Sequence, residues 1–172
     1  IAAETLKAAL PNGNTLMVAP ASAILLRPQT LKTPPFDPLA DFAPVAHAGT
    51  GAVALGISAS VPAKDLREFV SWAKANPGSA SFGSGGAGGL THFVGLMVGQ
   101  AIGVELRHVP YKGSGPAAMD TAAGHIPATV QPLGSLMAQA RAGRIRILAI
   151  SSSRRTLIDP GIPTFAELGY PS

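Results

Sequence analysis

An α/β fold, with a parallel sheet flanked by helices, is the architecture this sequence predicts. Three observations carry it. From Ser79 onward short β-type runs alternate with helical runs, and each helical run is closed by a glycine (Gly103, Gly124, Gly143). The connections are short, as right-handed β–α–β crossovers require. A glycine-rich segment, Gly83-Ser84-Gly85-Gly86-Ala87-Gly88-Gly89, stands between one of the strands and the helix after it.

Taken in order, Ala2 to Leu10 reads as a helix stopped by Pro11-Asn12-Gly13. Thr15 to Ala19 reads as a short buried strand. Pro20-Ala21-Ser22 is a turn, and the apolar helical stretch after it breaks at Pro28. Lys32 to Pro44 carries Pro34, Pro35, Pro38 and Pro44 and is a loop, and Val45 to Ile57 is apolar enough for one or two strands. Lys64 to Asn76 is a helix: Leu66, Phe69, Val70 and Ala73 fall on one face, and Asp65 with Glu68 has capping-box spacing. The regular alternation then gives strands Ser79–Gly83, Leu106–Val109, Ile126–Gln131 and Ile145–Ile150. The helices between them are Leu90–Ile102, Gly115–Ala123 and Leu133–Ala142.

The 172 residues are 47% hydrophobic and only 13% charged, which is enough to bury a core. Gly, Pro, Asn or a charge interrupts every apolar run before the ~18 residues a membrane span needs, so the chain is not read as membrane-embedded. The net charge is +4, and its excess is local: seven basic residues lie between Glu105 and Arg155 against two acidic ones. Aromatics are 5% and do not interleave with these arginines, so a solvated face or an anion-steering field fits better than a nucleic-acid surface. A basic interaction module is kept as a rival. There is no cysteine, hence no disulfide and no cysteine-ligated metal. The opening Ile1-Ala2-Ala3-Glu4 falls inside an expected helix, so the sequence reads as a piece of a longer chain whose export signal would not be visible.

In parallel α/β sheets ligands bind outside the carboxyl ends of the strands. The functional loops are therefore expected at Gly83–Gly89, Pro110–Ser114 and Gln131–Pro132. Glycines leave backbone N–H groups uncovered and a helix N-terminus adds partial positive charge, a combination suited to a carboxylate or phosphate. Thr91 and His92 in the first helical turn add side-chain donors, and Lys112 an ammonium. Tight packing of small residues is the plainer account of the same glycines. Gly83, Gly85 and Gly88 also match G-x-G-x-x-G, the basis of a second rival, a NAD-dependent oxidoreductase. Its ribose-binding carboxylate would have to be Glu105, which stands at the wrong end of its strand. No Gly-Lys-Ser/Thr follows the glycines, no G-x-S-x-G elbow occurs, and the carboxylates are scattered. The four histidines, His47, His92, His108 and His125, lack metal-site spacing. Binding is expected, with no catalytic residue, no cofactor and no metal.

The succession Asp41-Phe42-Ala43-Pro44-Val45, Ser60-Val61-Pro62-Ala63-Lys64, Phe82-Gly83-Ser84-Gly85 and His108-Val109-Pro110-Tyr111-Lys112-Gly113-Ser114-Gly115-Pro116-Ala117, followed by Ala142-Gly143-Arg144-Ile145-Arg146 and Ile162-Pro163-Thr164-Phe165-Ala166-Glu167-Leu168-Gly169, resembles the Bug family of periplasmic solute receptors of tripartite tricarboxylate transporters. The resemblance implies a two-lobed periplasmic-binding-protein-like fold of type II kind, closing on a small carboxylate ligand delivered to membrane transporter subunits. It places residues 1–57 in lobe one, 58–150 in lobe two and 151–172 in a segment returning towards lobe one. By position, Pro20, Ala21 and Ser22 would form the ligand loop of the first lobe. Gly83, Ser84, Gly86, Ala87, Gly88, Gly89, Thr91 and His92 would form the anion loop of the second, with Tyr111, Lys112 and Gly113 beside it. Gln131 would face the pocket as a neutral residue where the family often has an acidic one, which disfavours an amine-bearing ligand. The family's usual first strand with its P-F-x-P-G-G loop has no counterpart here.

Overall fold

The structure, a computed structural model, describes residues 2–170, the Arg27 side chain excepted. The chain divides into two compact units, residues 1–49 with 88–90, and residues 50–87 with 91–172. The last two residues of the expected return segment lie outside the described residues.

The first unit holds two helices, α1 (Ala2–Lys7) and α2 (Ala21–Gln29). α1 is shorter than expected because Pro11 approaches and the last turn tightens, with Ala9 N–H bonding the Leu6 carbonyl at 3.1 Å. The expected strand at Thr15–Ala19 does not form, and Val45–Ala52 is likewise outside any strand. A strand exists only where another strand takes up its N–H and C=O groups in a ladder, and neither segment is paired in a ladder among the described residues.

The second unit is a five-stranded sheet of order β3-β2-β4-β1-β5. Its strands are β1 (Val53–Ser58), β2 (Ser81–Ser84), β3 (Arg107–Pro110), β4 (Ala128–Pro132) and β5 (Ile145–Ile150). Its helices are α3 (Leu66–Ala75), α4 (Leu90–Ile102), α5 (Ser114–Ala122) and α6 (Leu133–Arg141). α4 and β5 fall on the residues the sequence marks, and the other elements of the alternating region are offset by one or two residues.

The α/β class with flanking helices holds, but the sheet is mixed rather than parallel. β2 runs parallel to β3 and β4, whereas β1 runs antiparallel to both β4 and β5. Alternation of strand and helix along the chain counts crossovers, and it cannot reveal a strand inserted between two others. β1 is that strand. All six of its residues are buried, as suits a strand covered on both faces. Its odd side chains Val53, Leu55 and Ile57 join Phe69, Phe82, Val98 and Ile102 in one core layer. Ala54 joins Ala118, Leu133, Leu136 and Ile150 on the other face.

The compact units divide at a different place from the 57/58 boundary expected for the lobes. β1 is integral to the second unit's sheet, and the division falls after residue 49. The segment after β5 also packs within the second unit. Thr164 bridges Ile150 in parallel, and Phe165 is buried in the core.

α3 begins as its sequence dictates. The Asp65 carboxylate accepts the Glu68 N–H at 2.8 Å. The Glu68 carboxylate reaches back to the Lys64 N–H at 2.7 Å, one residue before the N-cap, so the box is closed one position early.

Candidate functional site

Because β2, β3 and β4 are parallel, their carboxyl ends emerge together at one edge of the second unit. β2 leads through the glycine turn to α4. β3 leads through Tyr111-Lys112-Gly113 to α5, and β4 passes directly into α6. The Tyr111 N–H donates to the Ser84 carbonyl at 2.9 Å, which fastens the first two connections side by side. At Gly85 a Cβ would stand 3.2 Å from the backbone nitrogen of Ser114, so the turn lies against the start of α5. Gly86 and Gly88 have φ of +145° and +73°, values that L side chains rarely adopt. The N-cap of α5 is Gly113, which supplies no side-chain bond to the helix start.

Ser84 is fully buried at the end of β2. Its hydroxyl donates to the Gly86 carbonyl at 3.0 Å and lies 2.7 Å from Nε2 of His108. The His108 ring stacks on His92, with centroids 3.8 Å apart, and Phe82 lies tilted at 5.1 Å. Burial, and then the neighbouring His92, hold the His108 imidazole below its ordinary pKa. His108 is the group that sequence reading passed over. Nothing local flags it, since its contact with Ser84 depends on the pairing of Phe82 with His108 across β2 and β3.

Several expected site residues have other occupations. Gly83 is a packing residue inside β2: a Cβ there would fall 2.6 Å from Cδ1 of Ile126 and 3.0 Å from the Tyr111 ring. The Tyr111 hydroxyl donates to Asp120 of α5 at 2.7 Å. Burial and that carboxylate push its pKa up to about 12. The bond from Tyr111, and then one from His125, hold the Asp120 carboxyl below its usual range. Tyr111 thus braces the turn through its ring and backbone, and its hydroxyl has a partner within the fold.

Gln131 is fully buried, not open to solvent. Its Nε2 donates to Thr129 Oγ1 at 3.2 Å and more weakly to the Gly83 carbonyl at 3.4 Å. Its Oε1 has no partner among the described residues. Thr91 and His92 are half-buried in the first turn of α4, while Ala87, Gly89 and Lys112 are exposed. In the first unit Pro20 and Ala21 are exposed at the start of α2 and Ser22 is half-buried.

Glu105 is exposed and precedes β3, so the carboxyl end of that strand carries no ribose-binding carboxylate. Among the described residues no group of three His, Cys, Asp or Glu could hold a metal ion. None of their helices is long and apolar enough to cross a membrane. Two shallow depressions elsewhere, one along α3 at Asp65, Glu68 and Trp72 and one behind α4 at Gly99 and Leu106, lack the convergent amide donors of the strand ends.

Comparison with known proteins agrees with this arrangement. The family model described as the tripartite tricarboxylate transporter family receptor matches residues 1–172. The protein BugT of Bordetella pertussis is 32% identical over 161 residues, covering 93% of this chain and 49% of BugT. A solved structure described as a periplasmic transporter superposes with a TM-score of 0.91 at 38% identity, covering 98% of this chain and 57% of that one. An R. palustris protein with adipate superposes with a TM-score of 0.90 at 28% identity, covering 99% of this chain and 57% of that one. The chain spans about half the length of the curated relatives it matches. On the full-length family match, it belongs to the tripartite tricarboxylate transporter family of solute receptors.

Proposed function

We propose that this chain is part of a periplasmic receptor that binds a small carboxylate and hands it to membrane transporter subunits, without chemically changing it. The observation that carries the reading is the glycine turn at the carboxyl end of β2. Its positive-φ glycines bend the backbone beside the side-chain-free cap of α5, an arrangement suited to receiving an anion on backbone amides. The adipate in a relative of the same fold agrees with a carboxylate ligand. Within this site Gly86, Ala87, Gly88, Gly89, Thr91 and His92 are the expected contacts, with Lys112 adding attraction from an exposed position. Ser84, Tyr111 and Gly113 shape the turn, and Gln131 supports it from below.

A catalytic use of Ser84 runs against its burial. The side chain is fully buried at the end of β2, out of reach of a substrate carbonyl.

Calorimetry with adipate, succinate and benzoate, each beside its methyl ester, tests the reading. The acids should bind and the esters should lose most of the affinity, and equal binding of acid and ester would overturn it. Gly88→Val adds a branched side chain at φ +73°, where it is strained whatever the space around it. It should weaken carboxylate binding by about tenfold or more, equivalent to ~1.4 kcal/mol. A folded Gly88→Val variant with unaltered affinity would place the anion elsewhere.

A further inference from the structure

We infer that Asn12 is a site of covalent modification: the Gly13 backbone nitrogen attacks the Asn12 carboxamide, ammonia leaves, and the succinimide so formed opens with water to isoaspartate and aspartate. The inference is independent of any ligand at the glycine turn.

The sequence holds three asparagines, and the residue after each decides whether this ring can close. Asn12 precedes Gly13, Asn14 precedes Thr15 and Asn76 precedes Pro77. Closure needs a backbone N–H on the following residue, and proline has none, so Asn76 cannot react this way. The branched Cβ of Thr15 crowds the approach to Asn14. Gly13 carries no Cβ, and nothing lies within 4 Å of where one would stand.

The local structure favours the same residue. Asn12, Gly13 and Asn14 are all exposed in the turn after α1. Gly13 has φ +82°, a conformation glycine adopts without strain. Its N–H has no hydrogen-bond partner among the described residues, so the nucleophile is not tied to the fold. The Asn12 carboxamide is placed for attack. The Asn14 N–H donates to Asn12 Oδ1 at 3.1 Å, a local turn that folds the side chain over the Gly13 peptide. The same N–H draws electrons from the carboxamide carbon, and it already lies on the oxygen that turns negative in the tetrahedral intermediate. Asn76 shows the opposite arrangement, for its Nδ2 donates to the Trp72 carbonyl at 2.8 Å and the carboxamide is drawn back onto α3.

The atoms balance as follows. The Gly13 nitrogen forms a bond to Cγ of Asn12 and loses its proton. The bond from Cγ to Nδ2 breaks, and Nδ2 departs as ammonia. One water then opens the imide. Opening at Cγ gives aspartate, and opening at the main-chain carbonyl carbon gives isoaspartate, whose extra methylene lies in the main chain. Either product puts a negative charge on an exposed turn. Because the Gly13 nitrogen must lose its proton, the reaction quickens as pH rises.

Warm incubation of the whole chain in mildly acidic and mildly alkaline buffer tests the inference, with peptide mapping by mass spectrometry and fragmentation that separates isoaspartate from aspartate. The peptide holding Asn12 should gain the mass difference between a hydroxyl and an amino group, faster in the alkaline buffer, with isoaspartate as a product. Asn76 should stay unchanged and Asn14 should lag far behind. The rate in the folded chain should lie within about threefold of the rate in urea, because the folded turn leaves the nucleophile free and the carboxamide polarised. Gly13→Val should slow the conversion by about tenfold or more, with circular dichroism confirming that the variant folds. An Asn12 that stays intact in the folded chain while it converts in urea, conversion at Asn14 equal to that at Asn12, or a folded Gly13→Val variant that converts at the original rate would each overturn the inference.

Discussion

The two units share an apolar composition and differ in what they do with it. In the second unit Leu55, Ile57, Phe69, Phe82, Val130, Leu136 and Ile150 are fully buried between helices and sheet. In the first, Leu16, Val18, Leu39 and Val45 are exposed by 70%, 91%, 88% and 78%, and Phe36, edge-on to Phe42 at 5.2 Å, is its buried aromatic. Hydrophobic sequence alone does not make a core. A strand-like run becomes a buried strand when neighbours accept its hydrogen bonds and cover its faces. β1 has both, from β4, β5 and two layers of helix, whereas Thr15–Ala19 has neither among the described residues. The contrast matters for function, because a rigid sheet lets β2, β3 and β4 present their following turns in fixed positions.

The sharpest way to break this contrast is to remove a side chain on which the second unit's packing depends. Phe82 is fully buried, and α4 comes so close that a Cβ at Gly95 would lie 2.0 Å from its ring. The ring also borders His108. Phe82→Ala should destabilise the unit by about 3–5 kcal/mol, read from chemical denaturation. A loss below about 1 kcal/mol would mean that the layer between β2 and α4 is looser than its geometry states.

How much of this was legible beforehand differs between elements for physical reasons. α4 and β5 are legible because their signals are local: a helical or β-type run with a glycine at its boundary. The glycine turn is legible for the same reason, as is its place between strand and helix. The antiparallel insertion of β1 is not, because strand order is decided by contacts remote in sequence, such as Leu55 with Val130 and with Ala149. The contacts that Gly83, Tyr111 and Gln131 make within the fold were not legible for a related reason. Position at a strand end places the backbone, but whether a side chain turns to ligand or to core depends on neighbours such as Ile126, Asp120 and Thr129. His108 was invisible as a partner of Ser84 until the β2–β3 register was known.

A smaller effect tests a local device within the ordered unit. Asp65 caps α3 through a single side-chain bond, and Glu68 completes the arrangement from an exposed position. Asp65→Ala should cost about 1 kcal/mol, mostly from the orphaned N–H of Glu68, with the sheet itself unaffected. Hydrogen exchange should show the loss concentrated in the first turn of α3. Loss spread evenly over β1 to β5 would mean that α3 is coupled to the sheet as one cooperative block, and that the cap contributes to global rather than local stability.

The smallest expected effect sharpens the comparison from the other side. Val18 and Leu16 are as apolar as the side chains of β1, yet 91% and 70% exposed. The transfer free energy of a side chain contributes to folding only for the area that folding removes from water, and at Val18 that area is close to nil. Val18→Ser and Leu16→Ser should therefore change the unfolding free energy by less than about 0.5 kcal/mol, several times less than Phe82→Ala. Denaturation at two or more protein concentrations distinguishes exposure from concealment. A loss well above that figure that grows with concentration would show these side chains covered by a second copy in solution. An equally large loss independent of concentration would show them covered within the chain, and the contrast between the two units would then be smaller than the structure describes.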